Sequence, residues 1–385
     1  MPAPAAIDLL RTLIGFDTTS RDSNLALIGF IADYLGRHGV AARILPSADG
    51  AKANLLATIG PRRPGGIVLS GHSDVVPVDG QPWTSDPFTL TERDGKLFGR
   101  GTCDMKTFIA LALAQVPDMV AKDLRLPIHL AFSYDEEVGC LGVPALIERI
   151  VAEHLEPRAV IVGEPTEMTV VNAHKGIHAF RTTVTGVEAH SSAPQLGVNA
   201  IVHAAELIAG LGAIASDIAT GPVRDERFVP PTTTIQIGKI EGGTALNIVP
   251  RQCKFLWEFR LLPGHDPDDV PRRFATLAAD VQGRMRVAHP GAAIETQTIA
   301  HVPPLKAEHG SPAETLVLAL AGSNRVGAVS FGTEAGLFQA AECPTVVCGP
   351  GSIEQAHKPD EFITLEQVAA GEAFLTRLID FAARG

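Results

Sequence analysis

The sequence predicts an α/β protein whose main domain holds a mostly parallel sheet and is interrupted by an inserted α+β domain. Three observations carry this reading. Apolar runs of strand length alternate with helix-length segments over the first part of the chain, the signature of a largely parallel sheet covered by helices. The texture changes after His174-Lys175-Gly176 and changes back from about Pro303. At 385 residues the chain is also long for one hydrophobic core.

Taken in order, Ala6 to Gly15 has the apolar spacing of an amphipathic helix, and Leu25 to His38 repeats it. Ala53 to Ile59 and Ile67 to Ser70 are apolar runs of strand length. Met105 to Val116 carries Ala and Leu on most faces, as a buried helix does. Pro127 to Tyr134 and Ala159 to Gly163 read as strands, followed by Asp135-Glu136-Glu137 and Glu164-Pro165-Thr166. Past Gly176 the pattern is half-exposed. Ala179 to Thr185 alternates apolar and polar, and Ile201 to Leu211 is helical. Thr232 to Ile237 and Cys253 to Leu262 are strands, and Asp268 to Val281 is a helix after the break at Pro263-Gly264. That order fits a small α+β domain with helices on one sheet face. The α/β texture returns with a helix at Pro312 to Ala321, a strand at Thr345 to Cys348 and a last helix from Leu365. The expected main domain is residues 1–176 together with 298–385, and the expected insertion is 177–297.

Composition excludes several classes of function. The formal net charge is −11 and no run of Lys and Arg forms a basic stripe. Neither nucleic acid nor an anionic membrane is an expected partner. The start, MPAPAAIDLLRTLIGF, lacks a basic region followed by a long apolar one. No apolar stretch reads as long enough to cross a bilayer, so a cytoplasmic location is expected. The five cysteines, Cys103, Cys140, Cys253, Cys343 and Cys348, show no C-x-x-C spacing. This argues against a disulfide framework or an all-cysteine zinc site. Nucleotide binding is disfavoured too. Gly99-Arg100-Gly101 lacks the third glycine of a phosphate fingerprint, and Asp104 behind it would repel phosphate.

The chemistry gathers at segment ends. His72, Glu137 and Glu164 each follow a predicted buried strand, and Asp104 opens a helix after the break Gly99-Arg100-Gly101-Thr102. Open α/β sheets bind ligands beyond the carboxyl ends of their strands. His357, at the end of Gly349-Pro350-Gly351-Ser352-Ile353-Glu354-Gln355-Ala356-His357, follows another strand and a glycine-rich turn. Two His and three carboxylates suit two zinc-like ions with one carboxylate bridging them. Such a pair activates water near neutral pH and clamps both oxygens of a tetrahedral intermediate. Glu136 and Glu137 are neighbours whose side chains diverge beyond a strand end. One can bind metal while the other faces the water as general base. Asp74, two residues after His72, is placed to accept the imidazole's second N–H. His129 and His178 lie in or beside predicted strands and imply no partner.

These segments resemble the M20 family of di-zinc aminoacylases and peptidases over nearly the whole chain. The motifs His72-x-Asp74, Gly101-Thr102-Cys103-Asp104-Met105-Lys106, Asp135-Glu136-Glu137, Gly163-Glu164-Pro165-Thr166 and the late His357 fall in the family's order. The resemblance implies a zinc-peptidase-like catalytic domain with an inserted lid and dimerisation domain. It implies two Zn2+ per subunit, with Co2+ as a substitute, and a homodimer formed through the lid. It implies that Asp104 bridges the ions, with His72 and Glu164 at one and Glu137 and His357 at the other. Glu136 is then the general acid/base, and Asp74 supports His72. His190, in Gly186-Val187-Glu188-Ala189-His190-Ser191-Ser192, matches a lid histidine that reaches across the dimer to polarise the scissile carbonyl. Asn247 and Arg260 match lid positions that hold the substrate carboxylate.

The implied substrate is an N-acyl amino acid. Thr84 to Glu92, Ala173 to Gly176, Phe331 to Ala335 and Cys348 to Glu361 are most like family members that deacetylate N2-acetylornithine in arginine biosynthesis. Glu334 is then the candidate partner of the δ-ammonium. The segment Val138-Gly139-Cys140-Leu141-Gly142 departs from the best-known members. Cleavage of a succinyl group from diaminopimelate, or of a dipeptide, would keep the mechanism and change the substrate. A non-catalytic amino-acid-binding scaffold would lack the base or several ligands, and this chain has them.

Overall fold

A computed structural model describes residues 2–385. The chain divides into two compact units. The first comprises the chain up to Ala173, then Ala307–Ala328 and Thr333–Gly385; the second comprises His174–Lys306 and Val329–Gly332.

The first unit opens with α1 (Pro4–Ile14), α2 (Leu25–Arg37), β1 (Ala42–Pro46), β2 (Ala53–Ile59) and β3 (Ile67–His72). It continues through β4 (Thr91–Arg93), β5 (Lys96–Phe98), α3 (Lys106–Ala114), α4 (Val116–Ala121) and β6 (Ile128–Ser133). Then come α5 (Val143–Ala152), β7 (Ala159–Pro165) and β8 (Val170–His174). The second unit contains β9 (Gly176–Thr185), α6 (Ala200–Thr220), β10 (Thr234–Gly242), β11 (Gln252–Leu261), α7 (Asp269–Ala288) and β12 (Ala293–Val302). The remainder supplies α8 (Pro312–Ala321), β13 (Val326–Val329), α9 (Ala335–Ala340), β14 (Thr345–Gly349), β15 (Phe362–Thr364) and α10 (Leu365–Arg384).

An eight-stranded sheet runs through the first unit in the order β1-β2-β6-β3-β7-β14-β8-β13. Its centre is parallel, from β6 through β3 and β7 to β14. Antiparallel strands flank that centre: β2 beside β6 and β8 beside β14. The central strands β3, β6, β7 and β14 are buried at every position. This is why they read as unbroken apolar runs rather than alternating ones. Helix α3 is equally enclosed, buried from Lys106 to Leu113. Leu10 and Leu13 of α1, Ile109 and Leu113 of α3 and Phe374 and Leu378 of α10 share one core with the sheet. Helix α5, absent from the sequence reading, starts with Pro at its first turn and buries Leu146, Ile147 and Ile150.

The second unit has a four-stranded antiparallel sheet in the order β10-β11-β9-β12. Strands β9 and β11 bury alternate residues, as the period-2 pattern requires. Phe255, Trp257 and Phe259 of β11 join Leu207 and Leu211 of α6 and Phe274 and Val281 of α7 in a separate core. Two expectations need correction. Strand β12 stays paired with β9 as far as Val302, so the long segment of the second unit runs to Lys306, past the expected residue 297, and Val329–Gly332 joins it. Helix α6 is 21 residues long and apolar enough to cross a membrane by length and composition, whereas no stretch was read as such. One stripe of it, Ala204, Leu207, Leu211, Ile214 and Ile218, is buried against the sheet, while Val202 and several alanines stay exposed.

Gly163 shows how tightly the sheet and α3 are packed. A Cβ at this position in β7 would stand 2.1 Å from Cγ of Phe108. The Phe108 ring is itself buried and cannot retreat into solvent. Gly163→Ala is therefore expected to lower stability by about 1–3 kcal/mol, the usual cost of overfilling a packed core. Urea denaturation of the purified variant reads this directly, and an unchanged midpoint would show that the ring yields freely.

Candidate metal centre and active site

The parallel centre of the sheet ends in the side chains that carry the chemistry. His72 is the last residue of β3, and Glu164 lies near the end of β7. Glu136 and Glu137 sit in the turn after β6, and His357 in the loop after β14. Asp104 ends the loop between β5 and α3. All six belong to the first unit.

They converge. Nε2 of His72 lies 2.9 Å from Oδ1 of Asp104 and 3.6 Å from Oε1 of Glu164. Nε2 of His357 lies 3.4 Å from Oδ2 of Asp104 and 3.0 Å from Oε2 of Glu137. The two Asp104 oxygens thus face two different imidazoles. His72, Asp104 and Glu137 offer ligand atoms within 4.8 Å of one another, and so do His72, Glu136 and Glu164. Oε1 of Glu137 and Oε1 of Glu164 are buried without a hydrogen-bond partner among the described residues. Orphaned buried carboxylate oxygens beside imidazoles are what a divalent cation of intermediate hardness would satisfy. The residues fit such a group.

The electrostatics agree. Burial, reinforced by the Asp104 charge, pushes Glu137 up to about 7 and Glu164 well above the ordinary carboxyl range. Burial also raises Glu136 well above that range, with Glu137 and Asp104 adding to it. Burial opposes ionisation of Asp104 as well, but hydrogen bonds from His357 and His72 outweigh it and hold this carboxyl low. His357 is raised to about 10 by its bonds to Asp104 and Glu137. Burial alone would lower His72, yet Asp104, Asp74 and Glu164 raise it well above its usual value. The nest attracts positive charge from every side.

Asp74 does more than expected. The N–H at Nδ1 of His72 points to the Asp74 backbone carbonyl at 2.9 Å, while the carboxylate is 3.6 Å away. That carboxylate still raises the imidazole by its charge, and it also accepts the Glu136 N–H at 3.2 Å, the Glu137 N–H at 3.3 Å and the Ser20 hydroxyl at 2.7 Å. It therefore shapes the turn that carries the two glutamates. Lys52 holds the same turn from outside, paired with Asp135, whose φ is +57°. Cys140 adds a thiol contact to Oε1 of Glu136 at 3.5 Å. Ser20 and Lys52 were missed because they lie far from the motif in sequence.

Glu334 needs a clear correction. It is fully buried, with its oxygens accepting from Ser70 at 2.6 Å and Ser133 at 2.8 Å. Both oxygens are occupied inside the core, so it offers no open carboxylate to a substrate ammonium. The second unit carries the other three candidates. His190 is exposed, its Nδ1 accepting from the Ser192 N–H at 3.0 Å. Asn247 is exposed too and is tied to the same corner through Ser191 N–H to Asn247 C=O. Arg260 is half-buried and forms a two-pronged pair with Glu258 at 3.0 and 3.1 Å. His129 is buried against Thr58, and His178 is stacked on Phe259, as ordinary core histidines are.

Residues 68–380 match the sequence profile of peptidase family M20/M25/M40. The chain belongs to the M20 family. Acetylornithine deacetylase of Myxococcus xanthus is 35% identical to it over 98% of this chain and 97% of its own. The protein of that name from Proteus mirabilis is also 35% identical, over 98% of this chain and 96% of its own. Among solved structures, an M20 metallo-carboxypeptidase from Sulfolobus solfataricus superposes with a TM-score of 0.80 at 18% identity, covering 100% of both chains. Human carnosine dipeptidase 1 gives a TM-score of 0.76 at 18% identity, covering 99% of this chain and 97% of its own. A dinuclear metal-binding M20 peptidase from Bacillus subtilis gives 0.63 at 17% identity, covering 98% of each chain. This M20 protein is accordingly a hydrolytic enzyme with a candidate metal centre.

The Asp104 geometry has a measurable consequence. Asp104→Ala is expected to lose both metal equivalents, because one residue faces both imidazoles. His357→Ala should lose chiefly one. Elemental analysis of the desalted variants distinguishes these outcomes, and full metal content in Asp104→Ala would reject a shared ligand.

Proposed function

We propose that this protein is a two-zinc deacetylase that cleaves N2-acetyl-L-ornithine to L-ornithine and acetate, in arginine biosynthesis. The observation that carries the reading is Asp104 set between two imidazoles. It is supported by the end-to-end likeness to proteins named acetylornithine deacetylase. In this reading Asp104, His72 and Glu164 would hold one ion, and Asp104, Glu137 and His357 would hold the other. Co2+ would substitute for Zn2+ in the same donor set. Bound ions would supply Lewis acidity at the amide carbonyl and make a water easier to deprotonate.

The chain's own residues do the rest. Glu136 takes the proton of the attacking water and passes it to the leaving nitrogen. Burial raises its affinity for a proton, which suits a carboxylate that takes one from water and then gives it up. Asp74 keeps Glu136 in place through the turn's two backbone N–H groups. His190 polarises the scissile carbonyl, and Asn247 and Arg260 hold the substrate's carboxylate, Arg260 sharing itself with Glu258. The enzyme works in the cytoplasm as a homodimer through its second unit, each protomer lending His190 to its partner.

Turnover decides the substrate. The zinc-loaded enzyme is expected to favour N2-acetylornithine over N-acetyl-leucine by at least about tenfold in kcat/KM, roughly 1.4 kcal/mol of discrimination. In the same assay Glu136→Gln should keep its metal while kcat falls about 10²–10⁴-fold. Equal rates on both substrates, or faster cleavage of N-succinyl-diaminopimelate, would reject the deacetylase reading.

Subunit sharing is tested by mixing. An inactive His190→Ala chain exchanged with an inactive Glu136→Ala chain leaves one intact site per heterodimer and should recover part of the activity. Confirmed heterodimers without recovery would rule out His190 acting across the interface.

A further inference from the structure

Glu361 closes the motif run that begins at Cys348, yet nothing above gives it work. It is 1% exposed and touches no substrate-facing group. Its carboxylate is instead packed under the loop that presents Asp104. Oε1 accepts the N–H groups of Cys103 at 2.8 Å and Asp104 at 3.1 Å. Oε2 accepts the Gly101 N–H at 3.1 Å and Nη1 of Arg100 at 2.6 Å. Its backbone carbonyl accepts the Gly99 N–H at 3.0 Å. The loop therefore folds around this carboxylate. Gly101 suits the bend, with φ +84° and no room for a Cβ beside Val75.

Arg100 carries the connection onward. It too is 1% exposed, and its Nη2 donates to Oε1 of Gln81 at 2.6 Å. The same Gln81 oxygen accepts Nε1–H of Trp83 at 3.0 Å, and Arg100 lies 5.1 Å from the Trp83 ring centre. Gln81 then donates Nε2–H to the backbone carbonyl of His357 at 3.0 Å. His357 needs such an anchor. Its φ is +63°, an uncommon conformation for a residue with a Cβ, and its side chain is 54% exposed. Packing alone holds it less firmly than the buried Asp104.

We infer that Glu361, Arg100 and Gln81 form a positioning relay that fixes the loop of His357 relative to the loop of Asp104. It sets the spacing of the two ligands and hence the affinity for the ion on the His357 side. The inference rests on the two-ion reading above. Partners that orient metal ligands typically change affinity by about 10–100-fold when removed.

The test uses chelator-treated full-length protein titrated with Co2+ alone, followed by calorimetry and by visible absorption. Gln81→Met keeps the side chain's length and removes both its polar atoms. Gln81→Glu keeps an acceptor for Arg100 and Trp83 but turns an oxygen toward the His357 carbonyl. Glu361→Gln removes the charge beneath the Asp104 loop. The expected result for both Gln81 variants is an unchanged first Co2+ equivalent and a second weakened about 10–100-fold. The absorption of the second ion should shift, while the melting temperature of the metal-free protein should stay at the wild-type value. Glu361→Gln should weaken both equivalents. Wild-type protein binding two ions, with the three variants binding them equally well, overturns the relay alone. Wild-type protein that takes up fewer than two ions overturns the two-ion reading and the relay with it.

Discussion

Unbalanced negative charge at the end of the sheet is the constraint on which the first unit depends. Asp104, Glu136, Glu137 and Glu164 are crowded around two imidazoles with almost no access to water. Burying carboxylates in this way is costly unless something positive compensates. The two imidazoles, raised by these carboxylates, do so only in part, and the other nearby cationic side chains do not. Lys106 is buried two residues from Asp104, but its ammonium turns away and donates to the carbonyls of Leu13 and Phe16. Burial lowers it to about 7, so it is a poor counter-charge. Arg100 is committed to Glu361 and Lys52 to Asp135. The fold thus spends its cations on holding loops and leaves the ligand atoms short of positive charge. A centre built this way selects for divalent ions over protein side chains.

The parallel strands convert this demand into geometry. Strands β3, β6, β7 and β14 lie side by side and end together, so residues far apart in sequence arrive at one edge. The strands supply height; the loops supply direction. Asp74 organises the turn after β6, and Glu361 organises the loop before α3. In both cases a buried carboxylate gathers backbone N–H groups of the following or facing loop, and so points the functional side chains inward.

Much of this was legible in the sequence, for an identifiable reason. Strands buried on both faces must be unbroken apolar runs, so β2, β3, β6 and β7 announced themselves, and the polar residues just past them stood out. His72, Asp104, Glu137, Glu164 and His357 were visible as ligand-type residues at those ends. What stayed hidden was the direction of side chains. Two residues of spacing suggested that the Asp74 carboxylate supports His72; its charge does so, but the backbone carbonyl shares the task and the carboxylate also holds the next loop, which spacing could not show. A Thr-Glu-Ala likeness placed Glu334 at the substrate, whereas Ser70 and Ser133 hold it in the core. Hydrogen bonds between Ser20 and Asp74 or Gln81 and His357 span distances at which spacing carries no signal. Short edge elements were likewise missed: β1 is largely exposed, and β13 is only four residues long.

The interrupted order of the sheet has a consequence for synthesis. Strand β14 fills the slot between β7 and β8, yet it is made of Thr345–Gly349, long after both neighbours and after the whole second unit. During translation the edge of β7 stays open until that late strand emerges, an unpaired edge of the kind that invites aggregation. A nascent chain that stops before Thr345 lacks the centre of its sheet, His357 and Glu361 together. Such a fragment still holds His72, Asp104, Glu137 and Glu164, but on a sheet whose β7 edge is open and beside a loop that lacks its Glu361 anchor.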